Sequence, residues 1–124
     1  MLVDSNALWL PGGAGEGLLK DVLLRAQASP KALSGKVGIV GFSTGGGVSL
    51  AYATRMPELV AGVATFYPLT NFITEVDGFV GRTKVPTLVM PAALDTYKNC
   101  CLIEMARKVA AAVRRPDVEP VATC

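Results

Sequence analysis

Gly41-Phe42-Ser43-Thr44-Gly45 sets a serine between two glycines at G-x-S-x-G spacing. That spacing suits a nucleophile carried on a sharp turn from a strand into a helix. The backbone at such a turn is strained, and glycines two residues either side let the neighbouring segments approach closely. The turn would lift the Ser43 hydroxyl above a sheet. It would also put the Thr44 N–H at a helix start, where the oxyanion of an attacked carbonyl forms. The chemistry is acyl transfer, and a serine hydroxyl needs a base to perform it. The sequence contains no histidine, so an imidazole would have to come from another chain. Two other readings fit the same glycines. They serve helix–strand packing alone, or Gly41-x-x-x-Gly45-x-Gly47 forms a dinucleotide-binding turn. The second calls for an acidic residue closing the next strand, and Ala64-Thr65-Phe66-Tyr67-Pro68 has none. A P-loop is excluded, because no Gly-Lys-Ser/Thr follows the glycines.

The flanking residues predict the elements such a turn requires. Val37-Gly38-Ile39-Val40 is apolar without alternation, as expected of a central parallel strand covered on both faces. Gly45-Gly46-Gly47 opens a helix carried by Val48, Leu50, Ala51 and Ala53 until Pro57. Upstream, Pro11-Gly12-Gly13-Ala14-Gly15 is a breaker. A helix follows over Glu16 to Gln27, with Leu19, Leu23 and Ala26 on one stripe. Downstream, Val60 to Phe66 reads as a second buried strand and Leu69 to Lys84 as a polar connection. Val85 to Met90 reads as a third strand, its proline placed where a missing N–H is tolerated. A last helix is expected from Cys100 to Val113 on the stripe Leu102, Ala106, Val109 and Val113. Arg114-Arg115 sit at its cation-favouring end, and Pro116 stops it. The order suits an α/β fold with a short parallel sheet flanked by helices. Three strands make a poor sheet, with two edges of unpaired backbone groups. The segment reads as part of a larger domain.

Composition narrows the partners. The chain has 124 residues, 51% hydrophobic and 18% charged, which is one domain with a packed core rather than a disordered segment. A net charge of +2 is too weak a bias for nucleic acid or an anionic membrane. The uncharged run Val37 to Thr54 is barely long enough to span a bilayer, and its middle is Gly, Ser and Thr. Cys100 and Cys101 are adjacent and Cys124 is last, which gives neither a disulfide framework nor a metal pair. They read as reduced thiols of a cytoplasmic protein, and no metal or signal peptide is expected.

Lys36 to Gly47 resembles the nucleophile region of the dienelactone hydrolase family of α/β-hydrolases. Val85-Pro86-Thr87-Leu88-Val89-Met90 followed by Ala93-Leu94-Asp95 resembles that family's strand ending in the triad acid. Asp95 to Glu104, with Cys100-Cys101, resembles a subset of its members. The similarity covers about residues 16 to 113. It implies hydrolysis of a small carboxylic ester or lactone without a cofactor. Ser43 would be the nucleophile, Thr44 N–H the oxyanion donor, Gly41 and Gly45 the elbow glycines, and Asp95 the acid that orients a histidine. Read from its residues alone, Asp95 is also a common turn residue, and Cys100 and Cys101 are small buried side chains.

This chain departs from the family in three places. Cysteine commonly stands where Ser43 does. The family's histidine lies after a further strand, and the family's earlier strands have no counterpart before Glu16. The expectation is a hydrolase domain truncated at both ends and catalytically incomplete by itself. The alternatives are a non-catalytic module whose exposed sheet edges recruit a partner strand or a second copy, and a nucleotide-binding fragment.

Overall fold

The computed structural model describes residues 1–9 and 14–113. Of the breaker expected at Pro11–Gly15, residues 11–13 lie outside the described residues and Ala14 and Gly15 are helical; the Arg114–Pro116 helix end expected from the sequence also lies outside.

A 3₁₀ turn at Ser5–Leu8 leads to α1 (Ala14–Gln27), β1 (Val37–Phe42) and α2 (Thr44–Ala51). After a 3₁₀ turn at Ala53–Arg55 come β2 (Val60–Phe66), α3 (Val76–Val80) and β3 (Thr87–Met90). A 3₁₀ turn at Tyr97–Asn99 and α4 (Ile103–Val113) complete the order. The run 37 to 54 is therefore a strand, a turn and a helix. No helix among the described residues is long and apolar enough to cross a membrane.

The sheet is parallel throughout, in the order β1-β2-β3. Register puts Ile39, Val63 and Thr87 in one row and Gly41, Thr65 and Val89 in the next, all on one face. That face takes the helices. Leu19 and Leu23 of α1 and Val48 of α2 pack with Ile39, Val63 and Val85. Leu50 of α2 packs with Val89, with Phe79 of α3, and with Ala106 and Val109 of α4.

The opposite face corrects an expectation. Its rows are Val40, Ala64 and Leu88, then Phe42, Phe66 and Met90. No helix packs on these rows among the described residues; Val40 is 61% exposed and Phe42 52% exposed. β1 is an edge strand with one covered face, not a central strand covered on both. An unbroken apolar run reports that both faces are apolar, and says nothing about what lies against them.

Two further differences have local causes. The connection Leu69 to Lys84 holds α3 and buries Ile73 and Phe79. Five helical residues are too few to show periodicity in the sequence. The last helix begins at Ile103 rather than about Cys100, and the backbone just before Cys100 is left-handed, with φ of 48° at Lys98 and 51° at Asn99. That pair keeps the helix from extending upstream of Cys100.

Candidate active site

Ser43 sits between the end of β1 and the start of α2 with φ 49° and ψ −117°. That combination is open to glycine and costly for any L-residue. Three hydrogen bonds hold it there. The Ser43 N–H donates to the Phe66 carbonyl (3.1 Å), and the Ser43 carbonyl accepts from Gly47 N–H (3.1 Å) and Leu69 N–H (2.8 Å). The first ties the turn to β2, the second to α2, and the third to the chain leaving β2.

The glycines do different work from one another. A Cβ on Gly41 would lie 2.6 Å from the Gly45 carbonyl oxygen and 2.7 Å from Ser49 Oγ, so the turn closes only with hydrogen there. A Cβ on Gly45 would meet Ser5 at 3.7 Å, an ordinary contact. The close approaches on the helix side fall at Gly46, against Pro68 at 2.9 Å, and Gly47, against the Leu69 oxygen at 2.6 Å. The pentapeptide spacing singles out Gly45, whereas tight packing falls one and two residues later.

Thr44 is the first residue of α2, so its N–H is one of the leading helix amides without an intrahelical acceptor. Asp95 lies in the turn after β3, half-buried, and its Oδ1 accepts from the Tyr97 N–H at 3.0 Å. It is therefore a turn-forming aspartate, as its residue type alone suggests. Its charge also acts on the Cys101 thiol. Lys98 and Tyr97 are exposed, with Lys98 Nζ 5.2 Å from the centre of the Tyr97 ring.

Cys101 is the group that the sequence did not place. The Thr70 N–H donates to the Cys100 carbonyl at 2.8 Å, next to the Leu69–Ser43 bond. These two consecutive amides draw the Cys100-Cys101 turn against the elbow. Cys101 is 2% exposed, beside buried Cys100 in that turn. Burial pushes the thiol from 9.0 up to about 12. The Cys100 contact and the charges of Cys100 and Asp95 add to the rise, and the Ser43 hydroxyl opposes it. At neutral pH Cys101 is an uncharged thiol. It is neither a thiolate nucleophile nor a proton acceptor for Ser43.

A strained serine on a strand-to-helix turn, backed by tight glycines, is the arrangement of α/β-hydrolase nucleophiles. Residues 12–116 match the dienelactone hydrolase family. The chain belongs to that family. Its fold is accordingly of the α/β-hydrolase class, and its ancestry is that of hydrolases. It is similar to the "Protein usf" of Aquifex pyrophilus, 37% identical over 82 residues that make up 65% of this chain and 32% of that protein. The chain thus spans about a third of the length of this curated relative. No solved structure matches it.

Proposed function

We propose that these residues form the nucleophile side of a carboxylic-ester or lactone hydrolase site. Ser43 is the nucleophile, the Thr44 N–H is an oxyanion donor, and Asp95 is the acid partner of an imidazole that the 124 residues do not contain. One observation carries this reading: the strained Ser43 backbone at φ 49°, ψ −117°, fixed by three hydrogen bonds at the mouth of a parallel sheet. In the reaction the Ser43 proton passes to a base as Oγ bonds to the carbonyl carbon. The carbonyl electron pair moves onto oxygen, facing the Thr44 N–H. Collapse expels the alkoxide, which takes up the proton, and water then releases the acid by the same steps. Losing the histidine of a serine triad costs about 10⁶-fold in turnover. By itself the chain is therefore catalytically incomplete.

A small-molecule base tests this. Millimolar imidazole with an activated p-nitrophenyl ester should produce turnover above the imidazole background, and Ser43→Ala should return it to that background. Turnover unaffected by Ser43→Ala would remove the assignment.

The bare face of the sheet favours a second reading, an interaction role for the same domain. Val40 and Phe42, more than half exposed, stand in rows with Ala64, Phe66, Leu88 and Met90, and none of these carries a charge. A partner chain covering this face would bury surface that is otherwise hydrated.

A further inference from the structure

We propose that the cavity between Trp9, the end of α2 and the residues around α3 binds a small planar carboxylate, at a site separate from the elbow. The inference stands apart from the hydrolase reading. The cavity has a volume of about 250 Å³, just under the range of drug-sized sites (about 300–1,000 Å³) and enough for a guest of one ring. Ala51, Ile73 and Phe79 line it as buried side chains. Trp9, Tyr52 and Phe72 line it partly exposed, and Arg55, Glu75 and Arg82 bring charge to it. The eight residues of α2 span about 12 Å, which separates Tyr52 and Arg55 from Ser43.

Ring geometry and charge decide the guest. Trp9 stands between Tyr52 and Phe72, with ring centres 6.0 and 5.2 Å away and planes 51° and 59° apart. Phe72 in turn meets Phe79 at 5.7 Å and 69°. No ring in this row lies flat over its neighbour, so a planar guest can lie against a ring face. Aromatic faces also attract cations, but two guanidinium groups against the Glu75 carboxylate give the lining an excess of positive charge. That excess repels a cation and attracts an anion. Neither guanidinium is consumed by the protein. Arg55 has a 3.9 Å contact with Glu16, which is 48% exposed and not part of the lining; such a pair is worth little in water. Arg82 donates its Nε–H to the Gly78 carbonyl at 3.1 Å, and its Nη groups remain for a carboxylate, which a guanidinium grips with parallel N–H bonds. The indole N–H of Trp9 is buried without an acceptor among the described residues. Its nitrogen is covered, so the two guanidinium groups are an anion's first partners.

Trp9 is the only tryptophan in the sequence, so its fluorescence reports on this cavity. Benzoate titrated into the full chain should change the emission saturably. Benzamide, its neutral analogue, should bind about tenfold more weakly, as expected for two partly exposed ion pairs. Arg55→Gln and Arg82→Gln should each weaken benzoate about two- to fivefold and leave benzamide unchanged. Arg82→Lys, which keeps the charge and loses the fork, should fall between Arg82→Gln and the parent. No saturable change, equal binding of benzoate and benzamide, or tighter binding of benzyltrimethylammonium than of benzoate would overturn the proposal; each of these is read on the parent protein, whatever the variants do. A benzoate affinity unmoved by both arginine changes would overturn it too. So would loss of benzoate binding in Phe42→Asp, which would put the guest on the bare sheet face, or in Ser43→Ala, which would put it at the elbow. A parent that binds benzoate as expected but gives no imidazole-supported turnover would remove the hydrolase reading and leave this site standing.

Discussion

Replacing Ser43 with glycine should leave a more stable protein than replacing it with alanine, although both remove the proposed nucleophile. The backbone there, φ 49° and ψ −117°, costs an L-residue about 1–3 kcal/mol. Glycine relieves that strain but adds about 0.5–1 kcal/mol of chain entropy to the unfolded state. Whatever the hydroxyl contributes is lost in both Ser43→Gly and Ser43→Ala, so it cancels between the two. Their difference isolates the backbone and should favour glycine by about 0.5–2 kcal/mol. Urea denaturation at pH 7 in the presence of a reductant reads this directly. With a slope of about 1–3 kcal/mol per molar urea, the midpoint of Ser43→Gly should exceed that of Ser43→Ala by a few tenths of a molar or more. Equal midpoints, or a more stable alanine variant, would show that the turn is unstrained and that its conformation says nothing about a nucleophile.

Alkaline pH probes Cys101. The folded thiol is raised to about 12 from 9.0, so the unfolded chain gives up this proton first. Stability is intact below pH 9 and falls as pH rises toward 12, by about 1.4 kcal/mol per unit. Cys101→Ala should lose that component, and parallel urea midpoints for the two proteins from pH 8 to 10.5 would contradict it. The bare sheet face predicts association: sedimentation at tens of micromolar should show a dimer or larger species, and Phe42→Asp should shift it toward monomer. A parent that sediments as a monomer would speak against the interaction reading.

Features written in short segments were legible before any coordinates. β-branched runs marked β1 and β2, and the glycines around Ser43 marked the turn between β1 and α2. Both depend on the conformational preferences of a few neighbouring residues. Features set by distant segments were not legible. Nothing in the sequence near Cys100-Cys101 shows that this turn is tied to the elbow, because the tie runs through the Leu69 and Thr70 amides, in a stretch that reads only as a connection. Covering of the sheet was misjudged for the same reason: Val40 and Phe42 are apolar whether or not anything packs on them. Gly45 was singled out by the motif spacing, but the close packing at Gly46 and Gly47 depends on where Pro68 and Leu69 return past the helix.

The strain at Ser43 persists because its neighbours over-determine it. Relaxing φ to a negative value would break the Ser43 N–H bond to Phe66 and disturb the two bonds its carbonyl accepts from Gly47 and Leu69. Three bonds at about 0.5–1.5 kcal/mol net each sum to roughly 1.5–4.5 kcal/mol. That matches or exceeds the 1–3 kcal/mol of strain, before any repacking of Pro68 against Gly46 is counted. All three partners belong to α2, to β2 or to the residues just after it. The elbow is therefore held by groups within the described residues, whereas the base that the proposed chemistry requires is not among the 124. Holding the proposed nucleophile and supplying its base are separable in this fold, which is why added imidazole is a sound test of a chain that has no histidine.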